Sequence, residues 1–246
     1  MRRFALGLLL LLLVTLPLAA QRGWGRNRGV AMRPNVPYDG RFTIVRLWYA
    51  GHPGWSFDYP YMEDNLGLIM RELTTLRPNE DGSNIFAMDD PELLKFPVAY
   101  LSEPGYWYPN EAEVLGLRTY IQKGGFLIVD DFHYAPEWAV FEWAMRRVLP
   151  DAQIVPLQLG HNVFDTFFGI ESLDVPYPGT RQGYLTSEFY GIHEDNDPDK
   201  RLMVVINYNA DIGDYMEHSG TGLYVVDPTN EAFKFGVNYM IYGLTR

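Results

Sequence analysis

The residues of this sequence that could do chemistry fall in short segments, each just after an apolar, β-rich run. Asp58 lies in Trp55-Ser56-Phe57-Asp58-Tyr59-Pro60, downstream of the run 42–49. Ser102-Glu103 follows Pro97 to Leu101, Asp130-Asp131-Phe132-His133 follows Phe126 to Val129, and His161 follows Ile154 to Leu157. Asp211, Asp214 and then Glu217 follow Leu202 to Ile206. Carboxylates and histidines gathered on one edge suit a hard cation or general acid/base work. Asp131, His133 and His161 are the candidate metal ligands. Asp58, Glu103, Asp130, Asp211 and Asp214 are the further candidate ligand contacts. Each has a plainer alternative. Asp130 or Asp131 would cap a helix, Asp211 to Asp214 would form a turn, the histidines would be structural, and Glu103 would lie on the surface.

Several chemistries are excluded or unsupported. The chain has no cysteine, so a thiol nucleophile, a thiolate metal site and a disulfide are all ruled out. No segment has the spacing of a zincin helix, an EF-hand loop or a P-loop. No Gly-x-Ser-x-Gly elbow occurs, and Ser102 has no histidine beside it in sequence. Aromatic residues flank the acids instead. Trp55, Phe57, Tyr59 and Tyr61 alternate around Asp58, and Tyr106-Trp107-Tyr108 follows Glu103. Flat faces with polar tips suit sugar rings or peptides, which makes Trp55 and Trp107 candidate walls. The alternative is that they fill the top of the core.

The elements that must position these residues alternate between strand and helix. Strands are expected at 42–49, 84–88, 97–101, 126–129, 154–157 and 202–206, with a weaker one at 222–226. Helices are expected at 61–76, 111–123, 136–148 and 229–244. Gly124-Gly125 is a fitting end for the second helix, and Asp227 or Thr229 would cap the last. Phe126-Leu127-Ile128-Val129 is a continuous apolar run, as in a strand buried on both faces. The alternation predicts an α/β fold, a three-layer sandwich around a mostly parallel sheet. Its ligand crevice would lie outside the carboxyl ends of the strands. No repeat or internal linker interrupts 42–246, so this span reads as one α/β domain.

Charge and the N-terminus bear on setting. The chain carries −11 overall, and residues 42–246 hold 13 Lys and Arg against 30 Asp and Glu. Such a surface repels phosphate backbones, so nucleic acid is not an expected partner. Met1-Arg2-Arg3 followed by the Leu-rich run Phe4 to Ala20 reads as a secretory signal peptide,. Leu18 at the −3 position leaves an uncleaved anchor as the alternative. Residues 21–41 read as a basic flexible linker. The expected setting is therefore periplasmic or extracellular, with membrane contact only through an uncleaved N-terminal segment.

Six segments together resemble the bacterial domain of unknown function 4159 family. They are Trp55 to Pro60, Pro97 to Ser102, Gly124 to Asp131, Leu157 to Phe164, Asn209 to Glu217 and Gly236 to Thr245. Asn162 departs from the pattern, where a proline is expected after the histidine. The resemblance implies a flavodoxin-like, class I glutamine amidotransferase-like fold and supplies no activity. Amidotransferases of that fold carry a cysteine after the strand equivalent to Phe126–Val129. Asp130-Asp131 stand there in this chain, so glutamine hydrolysis through a thioester is excluded.

The resulting expectation is an exported, non-catalytic module that binds a small polar ligand, such as a glycan, or an envelope protein. The alternative is a hydrolase using a metal or paired carboxylates. No cofactor is specified by the sequence.

Overall fold

A computed structural model describes residues 33–79, 82–178 and 185–246. The expected signal peptide and the first part of the expected linker lie outside the described residues. Residues 33–36 are docked on the domain. Asn35 and Ile85 exchange two hydrogen bonds, as do Val36 and the side chain of Asn84. Arg33 makes a bidentate pair with Asp64. This stretch is therefore held against the second strand and differs from the free tether expected for it.

A seven-stranded sheet has the order β2-β1-β3-β4-β7-β6-β5. The strands are β1 (Val45–Trp48), β2 (Asn84–Ala87), β3 (Val98–Ser102), β4 (Phe126–Phe132), β5 (Val155–Pro156), β6 (Glu188–His193) and β7 (Leu202–Tyr208). β2, β1, β3, β4 and β7 run parallel, while β6 is antiparallel to both of its neighbours. The expected α/β architecture with a mostly parallel sheet is thus observed. β3 and β4 are buried along their whole length, which is why they read as unbroken apolar runs.

Among the described residues, five α-helices cover the sheet: α1 (Tyr61–Leu73), α2 (Glu111–Gln122), α3 (Tyr134–Val148), α4 (Ile212–Glu217) and α5 (Val226–Thr245). α1, α4 and α5 pack on one another, and α2 packs on α3. The core beneath α1 and α5 joins Met62, Leu66 and Met70 to Tyr100, Ile128, Phe235 and Tyr239. α2 begins at a reciprocal capping box between Asn110 and Glu113 and ends at Gly124, whose φ of 108° is left-handed,.

Two elements differ from expectation. Residues 222–226 are no strand: Gly222 has φ 80°, and Val226 already begins α5. That helix has no side-chain cap; Thr229 donates back to the Val225 carbonyl. Conversely, Glu188–His193 forms the antiparallel strand β6. Its mixed composition hides it, because only part of each face is buried.

Chain order reverses between β1 and β3, so the sheet has its switch point there. The segments leaving β1, β3, β4 and β7 all emerge at this edge.

Candidate functional site

Each acid at this edge is set by a local device. Arg46 on β1 is fully buried, and its Nε pairs with Glu63 of α1. Its Nη1 donates to the carbonyls of Trp55 and Phe57. One guanidinium thereby fixes the loop that carries Asp58. Asp130 does the same for the opposite wall. Its Oδ2 accepts from Tyr100 Oη and from the backbone N–H groups of Ile212 and Gly213, and its Oδ1 accepts from Asn207 Nδ2. Tyr239 Oη in turn donates to Asn207 Oδ1. Asp130 is thus the expected helix cap, but of α4 across the sheet rather than of the helix that follows it in sequence.

Asp131 is brought in by irregular backbone. The β4–β7 register shifts between Val129 and Phe132, and Asp131 has φ 61°. A bulge re-aims side chains that strict alternation would place on opposite faces. Asp58 (φ 63°), Glu103 (φ 53°), Tyr134 (φ 65°) and Asn209 (φ 56°) are also left-handed. Such backbone is uncommon outside glycine and persists where the surroundings over-determine it.

The product is a cluster of three buried carboxylates. Asp58, Asp131 and Asp211 each offer an oxygen within 4.8 Å of the others. Asp211 also caps α4 by accepting from Asp214 N–H. At ~4 Å two unit charges repel by about 4 kcal/mol at an effective dielectric of 20, so three bare carboxylates cannot coexist cheaply. Burial raises all three carboxyls well above the usual carboxylate range. Repulsion adds to this for Asp131, from Asp58 and Glu103, and for Asp211, from Asp131 and Asp58. At Asp58, Arg46 opposes the rise while Glu217 and Asp214 reinforce it. A divalent cation with oxygen ligands relieves the same repulsion, and its oxygen shell at ~2.0–2.6 Å fits donors spaced in this way.

Glu103 stands beside the cluster. Burial first, then Glu137, raises its carboxyl to about 7, and no described donor reaches its Oε2. His133 caps α3 with its backbone, donating N–H to Glu137 Oε2. Its ring lies 3.5 Å from Tyr177 Oη. Burial pushes the Tyr177 hydroxyl up, and Asp131, Asp211, Glu103 and Glu137 all act on it. These groups act on one another at one edge of the sheet.

The remaining expected site residues fall elsewhere. Trp55 is 4% exposed and Trp107 is 0% exposed, so both belong to the core and neither can wall a ligand. The exposed aromatic rings nearby are Phe57, Tyr61, Tyr106, Tyr108 and Tyr134. His161 does not join Asp131 and His133. The turn from Gln158 to His161 folds the chain back over β6, where His161 Nε2 lies 3.3 Å from His193 Nε2. His193 pairs with Leu202, at the start of β7. Asp211 follows the other end of that strand, roughly 20 Å away at ~3.3 Å per residue. Asp214 sits on α4 with Glu217 and His218 as a second group of potential ligands within 4.8 Å of one another.

Residues that composition did not single out do much of the positioning: Arg46, Tyr100, Asn207, Gly213 and Tyr177. The i, i+3, i+4 spacing of Asp214, Glu217 and His218 was a readable sign of one helical face. It was obscured because Asp211 to Asp214 reads equally well as a turn.

Nothing matches the chain among curated proteins. A family model matches residues 43–244, a span that contains every strand above, every helix but for the last residue of α5, and all three clustered aspartates. The chain therefore belongs to the family described as a domain of unknown function, DUF4159.

Proposed function

We propose that this chain binds a divalent cation through Asp58, Asp131 and Asp211, and that the cation holds an oxygen-rich small ligand in the crevice. The observation that carries this reading is the convergence of three buried carboxylate groups at the sheet's switch point. Mg²⁺, Ca²⁺ and Mn²⁺ suit an all-carboxylate set, whereas thiolate-loving metals do not. Glu103, His133 and Tyr177 would contact the ligand. The excess of acids on residues 42–246 favours a small ligand over nucleic acid,. The sequence of residues 1–20 supports an exported setting,.

The test is thermal melting of the full-length chain with EDTA and with each cation, beside elemental analysis of protein prepared without chelator. A cation should raise the melting temperature of the wild type and leave Asp131→Asn unmoved. An unchanged wild-type melting temperature with every cation would overturn the reading and leave shared protons as the cluster's only relief.

Hydrolysis is a second reading, and one observation favours it. Glu103 has a carboxyl raised to about 7 and an unpartnered oxygen, and it acts on Asp131 of the cluster, as suits a general acid or base. Turnover of aryl ester, glycoside or phosphate substrates with Mn²⁺ should then fall about 10²-fold or more in Glu103→Gln. Cation binding should be unchanged in that variant. Absence of turnover in the wild type would leave the binding reading standing alone.

A further inference from the structure

The carboxylate wall continues past the three aspartates. Asp214 and Glu217 of α4 and His218, the residue that caps its end, have ligand atoms within 4.8 Å of one another. His218 Nε2 is 3.4 Å from Asp214 Oδ1 and 3.5 Å from Glu217 Oε2. Donors about 2.1 Å from one cation stand ~3.0 to 3.4 Å apart at octahedral to tetrahedral angles, so these separations need little adjustment. Tyr224 Oη donates to Asp214 Oδ2 and leaves Oδ1 on the His218 side.

A residue outside this trio points at it. Asp58 is 8% exposed, and no described donor reaches its Oδ2. That oxygen lies against the first turn of α4, where a Cβ on Gly213 would come within 2.8 Å of it, and the Glu217 carboxylate acts on the Asp58 carboxyl. Asp58 therefore belongs to the first ligand group and lies against the helix that carries the second. The charge count leads the same way. Asp58, Asp131, Asp211, Asp214 and Glu217 are five carboxylates; one divalent cation would leave them at −3, and two would leave −1.

We infer that the crevice holds a pair of divalent cations. One would be on Asp58, Asp131 and Asp211, the second on Asp214, Glu217 and His218, with Asp58 shared between them. This rests on the cation reading above and deepens it. Carboxylates supply two of the three donors in the second set as well as all three in the first, so Mn²⁺ can fill both. A cation pair clamps two oxygens of one oxyanion. The ligand class it fits is a phosphate ester, each cation taking one non-bridging oxygen. The acid-rich surface of the domain would otherwise repel that group.

Mn²⁺ titration of the full-length chain by calorimetry, with electron paramagnetic resonance of the loaded protein, tests this. Two Mn²⁺ per chain are expected, with the multiline signal of a coupled pair. Glu217→Gln and His218→Ala should each reduce binding to one Mn²⁺ and abolish the coupling. His218 is about one-third exposed, so its variant should fold, and far-UV circular dichroism checks that. Inorganic phosphate should bind the loaded wild type at least 10-fold more tightly than loaded Glu217→Gln. One Mn²⁺ per wild-type chain would overturn the pair and leave the single-cation reading intact. No Mn²⁺ at all would overturn both. Two Mn²⁺ without phosphate binding would overturn the assigned ligand class.

Discussion

Asp58 and Asp131 occupy left-handed backbone that asparagine tolerates nearly as well, so Asp→Asn removes charge while sparing the fold. The cluster's repulsion then becomes a measurable stability effect. Without cation, Asp131→Asn should be more stable than wild type by roughly 0.5–2 kcal/mol, the usual gain when a functional strain is relieved. With saturating cation the order should reverse, because the wild type gains the binding energy of the Asp131 site and the variant does not. Urea melts with EDTA and with Mn²⁺ read both directions; a destabilised variant in EDTA would sink the argument. Gly213 gives a steric counterpart. A Cβ there would lie 2.6 Å from Tyr100 Oη and 2.8 Å from Asp58 Oδ2. Gly213→Ala should cost about 1–3 kcal/mol by overpacking and should weaken cation binding by displacing Asp58. A melting curve and a cation titration indistinguishable from wild type would show that the wall yields freely. Every clustered aspartate was visible in the sequence as an acid after an apolar run. Their gathering on one edge was expected as well; the approach of three of them to within 4.8 Å was not, because it depends on the Asp131 bulge and on the αL backbone at Asp58. No periodicity encodes either.

At the scale of elements, what was legible followed burial. β3, β4 and β7 each begin with a continuous apolar run of four or five residues, and α1, α2 and α3 carry clear helical periods. β6 and α4 were not legible. β6 mixes Glu188 and Tyr190 with buried Phe189 and Ile192, and α4 is one and a half turns whose first residues form an equally good turn. His161 was misplaced for a related reason. It follows β5, but the next turn carries it back over β6. Two elements carry the site through single buried groups. Asp130 ties β4 to the start of α4, and Arg46 ties β1 to α1 and to the Asp58 loop. Removing one partner of a buried ion pair leaves an uncompensated charge and costs ~3–5 kcal/mol. Arg46→Ala should therefore destabilise the chain by about that much and strand Glu63. The double variant Arg46→Met with Glu63→Leu should recover most of the loss in a urea melt. Even in the recovered protein, cation affinity should stay low, because the carbonyls of Trp55 and Phe57 lose their anchor. Recovery of affinity together with stability would mean the Asp58 loop holds itself.

For the molecule as a whole, the raised carboxyls make stability a function of pH with a definite sign. Burial, with mutual repulsion behind it, keeps protons on Asp58, Asp131 and Asp211 at pH values where the unfolded chain has lost them. An unfolded aspartate titrates near ~3.9. Between that value and the raised ones, the folded chain binds more protons than the unfolded chain, so stability falls as pH rises. Glu103 extends the same slope to about pH 7. A cation changes this because it takes the place of those protons, and its binding strengthens as they leave. The expected result is a melting temperature in EDTA that declines from about pH 4.5 to pH 8, and one in saturating Mn²⁺ that holds level or rises over the same range. The gap between the two curves should widen with pH, and that widening should be lost in Asp58→Asn/Asp131→Asn. Parallel curves would show that the cation does not exchange with the buried protons, and so does not bind at these aspartates. A widening gap would connect the acid-rich composition, the switch-point architecture and the strained aspartates in one ion-dependent equilibrium.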